Sequence, residues 1–482
     1  MLCLTILICL LRRVQRSLEN KLIRTTILSF LLLISVPLLP SVQGQHFTSG
    51  IKIGEVDQTS AIIWARLTKK PVASFALADP SLKHPMPTKV VEGQSGEMML
   101  ACSTFRDTVE VVFSKKVTVG PETDFTHQFV LSDLKPNTEY QVSINSFKPD
   151  TKTPANVIEG KFRTAPDDTQ TVPVRFIVST CQACRSVDSG HDGHAAYARM
   201  LDFKPDFFVH TGDILYYDKL PLAKTVDQAR AKWNLMFSFG FNKKFHQQVP
   251  SYFMKDDHDT LKNDCWPGQS YGEIKFEDGL AIFREQVPMG EKTYRTFRWG
   301  KDVQIWLTEN RDFRSPNNIK DGPTKTILGV KQKEWLKKSL TESNATLKFV
   351  ISPGPIVGPD KKGKSDNHSN KAFAHEGQEL RDFLSKLPNT YVICGDRHWQ
   401  YCSEDPKTGL VELGCGAIND QHDFGGDPGE DPDFHRYFSN KGGFLGVIVE
   451  DGKAKATWFG VNGADGAVLP EAKALHTESL GK

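Results

Sequence analysis

Phe207-Phe208-Val209-His210-Thr211-Gly212-Asp213 is the stretch on which the fold class turns. A short, β-rich and mostly apolar run stops at a glycine and a carboxylate, as a buried strand ending in a polar turn does. The pattern repeats on both sides. Residues 175–180 run into Cys181-Gln182, 251–255 into Asp256-Asp257-His258-Asp259, 303–308 into Glu309-Asn310-Arg311, and 391–395 into Asp396-Arg397-His398. Residues 348–352 make a sixth run, which ends at Pro353-Gly354-Pro355 instead. Helical spacing is read between them at 194–201, 225–236, 279–286, 330–339 and 377–387. Strands alternating with helices predict an α/β domain with a largely parallel central sheet, whose ligands gather at the carboxyl ends of the strands. Five of the six ends carry ionisable or metal-capable side chains, and their convergence on one sheet edge is expected.

Upstream of residue 165 the composition changes. Residues 61–66, 108–113, 127–131 and 140–146 are short β-rich runs at close spacing, separated by turn residues. This predicts a small all-β sandwich over residues 45–165, ahead of a catalytic domain over 173–465. Leu134-Lys135-Pro136-Asn137-Thr138-Glu139-Tyr140 resembles the tyrosine corner of fibronectin type III domains. In that reading the Tyr140 ring is buried and its hydroxyl returns to backbone upstream. A plain β-turn before a strand is the other reading.

Lys21 and Arg24 precede an uncharged apolar run, 25–40, followed by Ser41-Val42-Gln43-Gly44. That is the layout of a cleaved export signal over residues 1–44, with an uncleaved membrane anchor as the alternative. Localisation is therefore expected to be periplasmic or extracellular, with no stable membrane span once the leader is removed. Sixty basic against 58 acidic residues leave a formal charge of +2. No long-range field favours nucleic acid or an anionic membrane, so phosphate binding must be local. Seven cysteines follow residue 44, an odd number that leaves at least one thiol outside any disulfide.

Taken singly, each strand-end motif is weak, since Gly-Asp turns and Asp-x-His pairs are common in structural roles. Cys181-x-x-Cys184 lacks a thioredoxin-like context for redox work. The four groups Asp256–Asp259 are harder to set aside. Like charges packed at a strand end are costly unless something cationic offsets them, and a bound cation is the economical solution.

The order of these motifs resembles the calcineurin-like metallophosphoesterases, and Tyr216 is shared with purple acid phosphatases. Thr180-Cys181-Gln182, Asp256-Asp257-His258 and Gly395-Asp396-Arg397-His398 narrow the resemblance to PhoD-type alkaline phosphatases, across essentially the whole mature chain. Glu309-Asn310-Arg311-Asp312-Phe313-Arg314 is similar to a further motif of that family, with glutamate in place of its aspartate. The resemblance implies an α/β (α+β) sandwich of two sheets flanked by helices, preceded by a fibronectin type III-like domain. It implies that Cys181, Asp213, Tyr216, Asp257, Asp396 and His398 hold a dinuclear or multinuclear centre of iron(III) with calcium. In that scheme a metal-bound hydroxide attacks phosphorus in a phosphate monoester or diester. His258 polarises the phosphoryl group or protonates the leaving oxygen, and Arg311 neutralises a phosphate oxygen, with Arg314 the weaker candidate. The partner is a small-molecule or polymer phosphate ester. The alternative is an exported binding or adhesion protein that keeps the fold without catalysis. His191 and His194 are expected at the surface, and the loop bearing Asp420, Asp423, Asp427, Glu430 and Asp431 is expected to be solvated rather than calcium-bound.

Overall fold

A computed structural model describes residues 45–74, 86–104, 111–148, 151–361, 363–422, 432–461 and 472–481. The leader lies outside the described residues, as do Asp423, Asp427, Glu430 and Asp431 and the first part of the strand expected at 108–113.

All six apolar runs form strands, three in each of two sheets, as the family resemblance implied and as the alternation of strands and helices alone did not. Val174–Ser179, Phe207–His210 and Ser251–Phe253 lie side by side and parallel in the first sheet. Val303–Leu307, Leu347–Ser352 and Thr390–Cys394 lie parallel in the second, with Val411–Cys415 next. Antiparallel strands close the outer flanks of both, including Gly443–Glu450 and Lys453–Val461. The first sheet continues past the expected domain end at 465, through Ala472–Leu480.

Side-chain alternation explains the layering. Phe176, Val178, Phe207, Val209, Ile305, Phe349 and Ile351 point between the sheets and form the central core. Phe176 stacks on Phe207 at 4.9 Å and meets Phe349 edge-on at 5.3 Å. The intervening residues face outward onto helices. Ile177 and Phe208 pack against Ala195–Asp202 and Gly240–His246, while Trp306 and Val350 pack against Gly329–Glu342 and Ala374–Leu384. Burial on both faces is why these strands read as unbroken apolar runs rather than alternating ones.

The N-terminal region is the expected sandwich. Gly96–Thr104 alternates buried and half-buried positions, so one face alone enters the core. Its sheet, with Val111–Val119, Glu139–Phe147 and Asn156–Arg163, faces Ile51–Gly54, Ala61–Arg66 and Thr126–Leu131. The Tyr140 ring is buried, and its hydroxyl accepts a 2.8 Å hydrogen bond from the Lys135 N–H. The tyrosine corner is therefore present.

This sandwich is not free-standing. Gly54 pairs in parallel with Ser251, which makes Ile51–Gly54, Ala61–Arg66 and Thr126–Leu131 the end of the first sheet, nine strands wide. Asp124 receives Arg66 from its own module and Asn234 Nδ2 and Gln286 Nε2, at 2.8 and 2.9 Å, from two helices of the other. The buried Lys52 ammonium lies 3.3 Å from the Trp64 ring and 3.8 Å from that of Phe237, and donates to the Gln286 carbonyl. Gly44–Lys482 accordingly packs as one compact unit. No helix among the described residues is long and apolar enough to cross a membrane.

Candidate metal centre

The carboxyl ends of the two sheets meet at one place, and the strand-end residues meet there with them. Cys181, Asp213 and Asp396 each follow a buried strand and adopt positive φ, at 48°, 55° and 62°. Left-handed backbone is unfavourable for residues with a Cβ and clusters at functional sites. It turns each side chain sharply off its strand into the gap between the sheets. Two glycines make the turns fit. A Cβ on Gly212 would lie 2.7 Å from the Asp256 nitrogen, and one on Gly395 would lie 2.4 Å from Thr211 Oγ1.

Asp259 anchors the floor. Its carboxylate accepts from the N–H groups of Asp213, Leu215 and Asp256 at 2.6, 3.0 and 3.1 Å. The loop bearing Asp213 and the loop bearing Asp257 are thereby fixed to each other. Tyr216 donates to Asp213 Oδ2 at 3.0 Å, and the Cys181 thiol lies 3.5 Å from the same oxygen. Ligand atoms of Cys181, Asp213 and His398 lie within 4.8 Å of one another, as do those of Asp213, Asp257 and His258. Asp213 belongs to both groups, as a bridging carboxylate would. Of the residues singled out in the sequence, Cys181, Asp213, Tyr216, Asp257, His258 and His398 are thus brought together. Asp396 belongs to neither group; it is ion-paired with Arg397 and lies in the electrostatic field of Lys364, Asp366, Asp256 and Asp257.

Arg311 is placed differently from the expectation of a phosphate clamp. Its guanidinium is buried, with Nε 2.5 Å from Asp256 and an Nη 3.4 Å from Asp366 and 4.0 Å from Asp257. Arg314 is buried too, donating to Asn317 Oδ1 and to the Asp366 carbonyl. His191 is exposed as expected. His194 is not: it starts the helix Ala195–Asp202, fully buried against Phe239, with neither ring nitrogen hydrogen-bonded among the described residues. Flanking glycine and aspartate gave that stretch a surface composition, but helix packing turns the ring inward.

Four contributors escaped the sequence reading. Asp218 Oδ1 lies 2.6 Å from His258 Nδ1, which leaves Nε2 for whatever enters the site. His422 Nε2 lies 2.8 Å from the Tyr216 hydroxyl, and its carbonyl is 2.8 Å from His398 Nδ1. Asp366 and Lys364 come from a polar loop, where Asp257, Asp264 and Asp366 form a third carboxylate group. The signal for Asp218 was present as a carboxylate two residues beyond Tyr216. The others carry no pattern beyond polarity.

The electrostatics of these groups test whether a metal belongs here. Burial, together with Asp257, Asp256, Asp259 and Asp396, pushes the Asp213 carboxyl well above its usual range. Burial and Asp213 push the Cys181 thiol and the Tyr216 phenol up in the same way, while burial and His422 hold His398 far down. Asp213 Oδ1 is buried and has no hydrogen-bond partner among the described residues. A cation among these groups would reverse the carboxyl, thiol and phenol shifts and satisfy that oxygen. The donors also sort by chemistry. Thiol, phenol and imidazole around Asp213 suit a transition metal, whereas the carboxylates of Asp257 and Asp396 suit a hard ion. The residues fit a metal centre.

Comparison with known proteins gives the family and the fold. The chain is 23% identical over 422 residues to alkaline phosphatase D of Bacillus subtilis (strain 168), covering 76% of this chain and 66% of that protein. It therefore spans slightly less than two thirds of that relative's length. Among solved structures, that of PhoD superposes with a TM-score of 0.71 at 18% identity, over 92% of this chain and 91% of the other. A purple acid phosphatase from yellow lupin seeds superposes with a TM-score of 0.60 at 11% identity, over 89% and 74%. Both show the shared fold. Residues 36–166 match the N-terminal domain model of PhoD-like phosphatases and residues 176–441 match the PhoD-like phosphatase model itself, and the chain belongs to that family.

Proposed function

We propose that the protein is an exported, metal-dependent phosphoesterase that hydrolyses phosphate monoesters, diesters or both. The observation that carries this is the meeting of Cys181, Asp213 and His398 with Asp257 and His258 around one shared carboxylate. Cys181, Asp213, Tyr216, Asp257, Asp396 and His398 are the proposed ligands, with iron(III) and calcium as the ions the family resemblance implies. Such ions supply activated water and neutralise charge on the phosphoryl oxygens. The chain's own residues do the rest. Asp259 holds the two ligand loops in register. Asp218 fixes the His258 ring so that Nε2 delivers a proton to the leaving oxygen as the ester P–O bond breaks and a new P–O bond forms to water. Arg311 contributes positive potential from beneath Asp256 and Asp257. Export rests on the leader-like pattern of residues 1–44.

The test is hydrolysis of paired chromogenic mono- and diesters by the mature chain, with and without a chelator. Chelator-sensitive turnover, abolished by Asp213→Ala in folded protein, is expected. Folded, metal-loaded protein inert towards both esters would instead favour the binding-protein reading.

A further inference from the structure

Among the described residues three arginines line the site, and each is committed to protein partners. Arg311 serves Asp256 and Asp366, Arg314 serves Asn317 and the Asp366 carbonyl, and Arg397 pairs with Asp360 and Asp396. All three are at least 96% buried. Lys364 differs. Its side chain keeps 23% of its surface exposed, and its ammonium lies 2.7 Å from Asp264 and 3.7 Å from Asp366. It also lies in the field of Asp396 and Asp257, two of the proposed metal ligands. Asp264 and Asp366 have ligand atoms within 4.8 Å of Asp257, so the ammonium adjoins the proposed metal site on a side chain that stays partly exposed.

We propose that Lys364 is a substrate-binding residue that grips a phosphoryl oxygen and biases the site towards phosphate monoesters. The inference rests on the phosphoesterase reading above and deepens it. Cations held by Asp257 and Asp396 would neutralise two of the four carboxylates that attract the ammonium. Asp264 and Asp366 remain as its perch, and a flexible lysine stem lets the charge swing from them to an incoming anion. A monoester carries close to two negative charges above pH ~6. A diester has a second phosphoryl oxygen esterified and carries a single charge. An additional cation beside the site therefore stabilises the monoester more.

The test compares Lys364→Met with the unaltered mature chain, both metal-loaded, on a chromogenic monoester and diester. Inorganic phosphate binding is read by calorimetry and metal content by elemental mass spectrometry. Expected is a fall in kcat/KM on the monoester about tenfold or more beyond that on the diester, carried by KM. Phosphate binding weakens alongside, metal content holds, and Lys364→Arg restores the preference. Equal losses on both esters, or a loss that tracks lost metal, would overturn it and leave Lys364 as a counter-ion of Asp264 and Asp366. Should the methionine variant be insoluble, Lys364→Gln makes the same comparison. An unaltered chain inert towards both esters, though metal-loaded, would sink the phosphoesterase reading itself, an outcome distinct from the former.

Discussion

Replacing Asp218 with asparagine isolates the proton-delivery role assigned to His258. The Asp218 carboxylate and the imidazole are 2.6 Å apart and keep 12% and 8% of their side-chain surfaces exposed, so water replaces the contact poorly. A hydrogen bond between charged partners contributes about 1.5–3 kcal/mol, which corresponds to roughly 10–100-fold in rate if it is fully expressed in the transition state. The loss should depend on the leaving group. An alkyl phosphate, whose alkoxide cannot leave without a proton, should show all of it, and a nitrophenyl phosphate little. The pH profile should move as well. Burial pulls the His258 pKa down, but Asp257 and Asp218 outweigh it and hold the ring protonated above its ordinary range. Without the Asp218 charge the proton is lost at lower pH. The alkaline decline of alkyl-phosphate turnover should then begin earlier in Asp218→Asn. Steady-state rates on both substrates across pH, at constant metal content, would show this. Equal losses on the two esters with an unmoved profile would refute the reasoning and reduce Asp218 to a structural partner.

Other expectations concern the scaffold. Asp259→Ala leaves three buried N–H donors without an acceptor, at about 1–3 kcal/mol each. A large drop in urea midpoint with loss of bound metal is expected, and an unchanged midpoint would show that other groups hold the two loops. Gly395→Ala drives a methyl group against Thr211 Oγ1, the Pro353 carbonyl and Thr180 Oγ1, all within 2.7 Å. Overpacking of that kind costs about 1–3 kcal/mol, and metal affinity should fall with it. Tyr140→Phe orphans the Lys135 N–H in the sandwich, so thermal stability should fall by about 1–3 kcal/mol with kcat unchanged.

The candidate site was legible where local pattern and long-range geometry coincide. Asp213, Cys181 and Asp396 could be read because each follows directly on a buried strand, and parallel strands bring such ends together. Asp366-Asn367-His368, within a lysine- and serine-rich run, reads as solvated loop, yet all three residues are buried. Their environment comes from Arg311 and Arg314, more than fifty residues away in the chain, and from Glu376 on the following helix. Sheet partnership was hidden for the same reason. An apolar run announces a strand without naming its neighbour, so nothing local separated the strands of one sheet from those of the other. The junction at Gly54 and Ser251 joins residues almost two hundred positions apart, and no periodicity reports it.

That junction bears on how the chain can be cut and recombined. A fragment beginning after residue 165, though it would keep every proposed ligand, would strip Ser251–Phe253 of its outer neighbour. The exposed backbone would be an apolar, unpaired margin, a template for intermolecular pairing. Asn234 and Gln286 would lose Asp124, their shared acceptor, at the same stroke. The fibronectin-like half is thus inherited with the catalytic half as one solubility unit. Swapping it for the equivalent part of a relative should succeed only when the strand and its acidic anchor travel together.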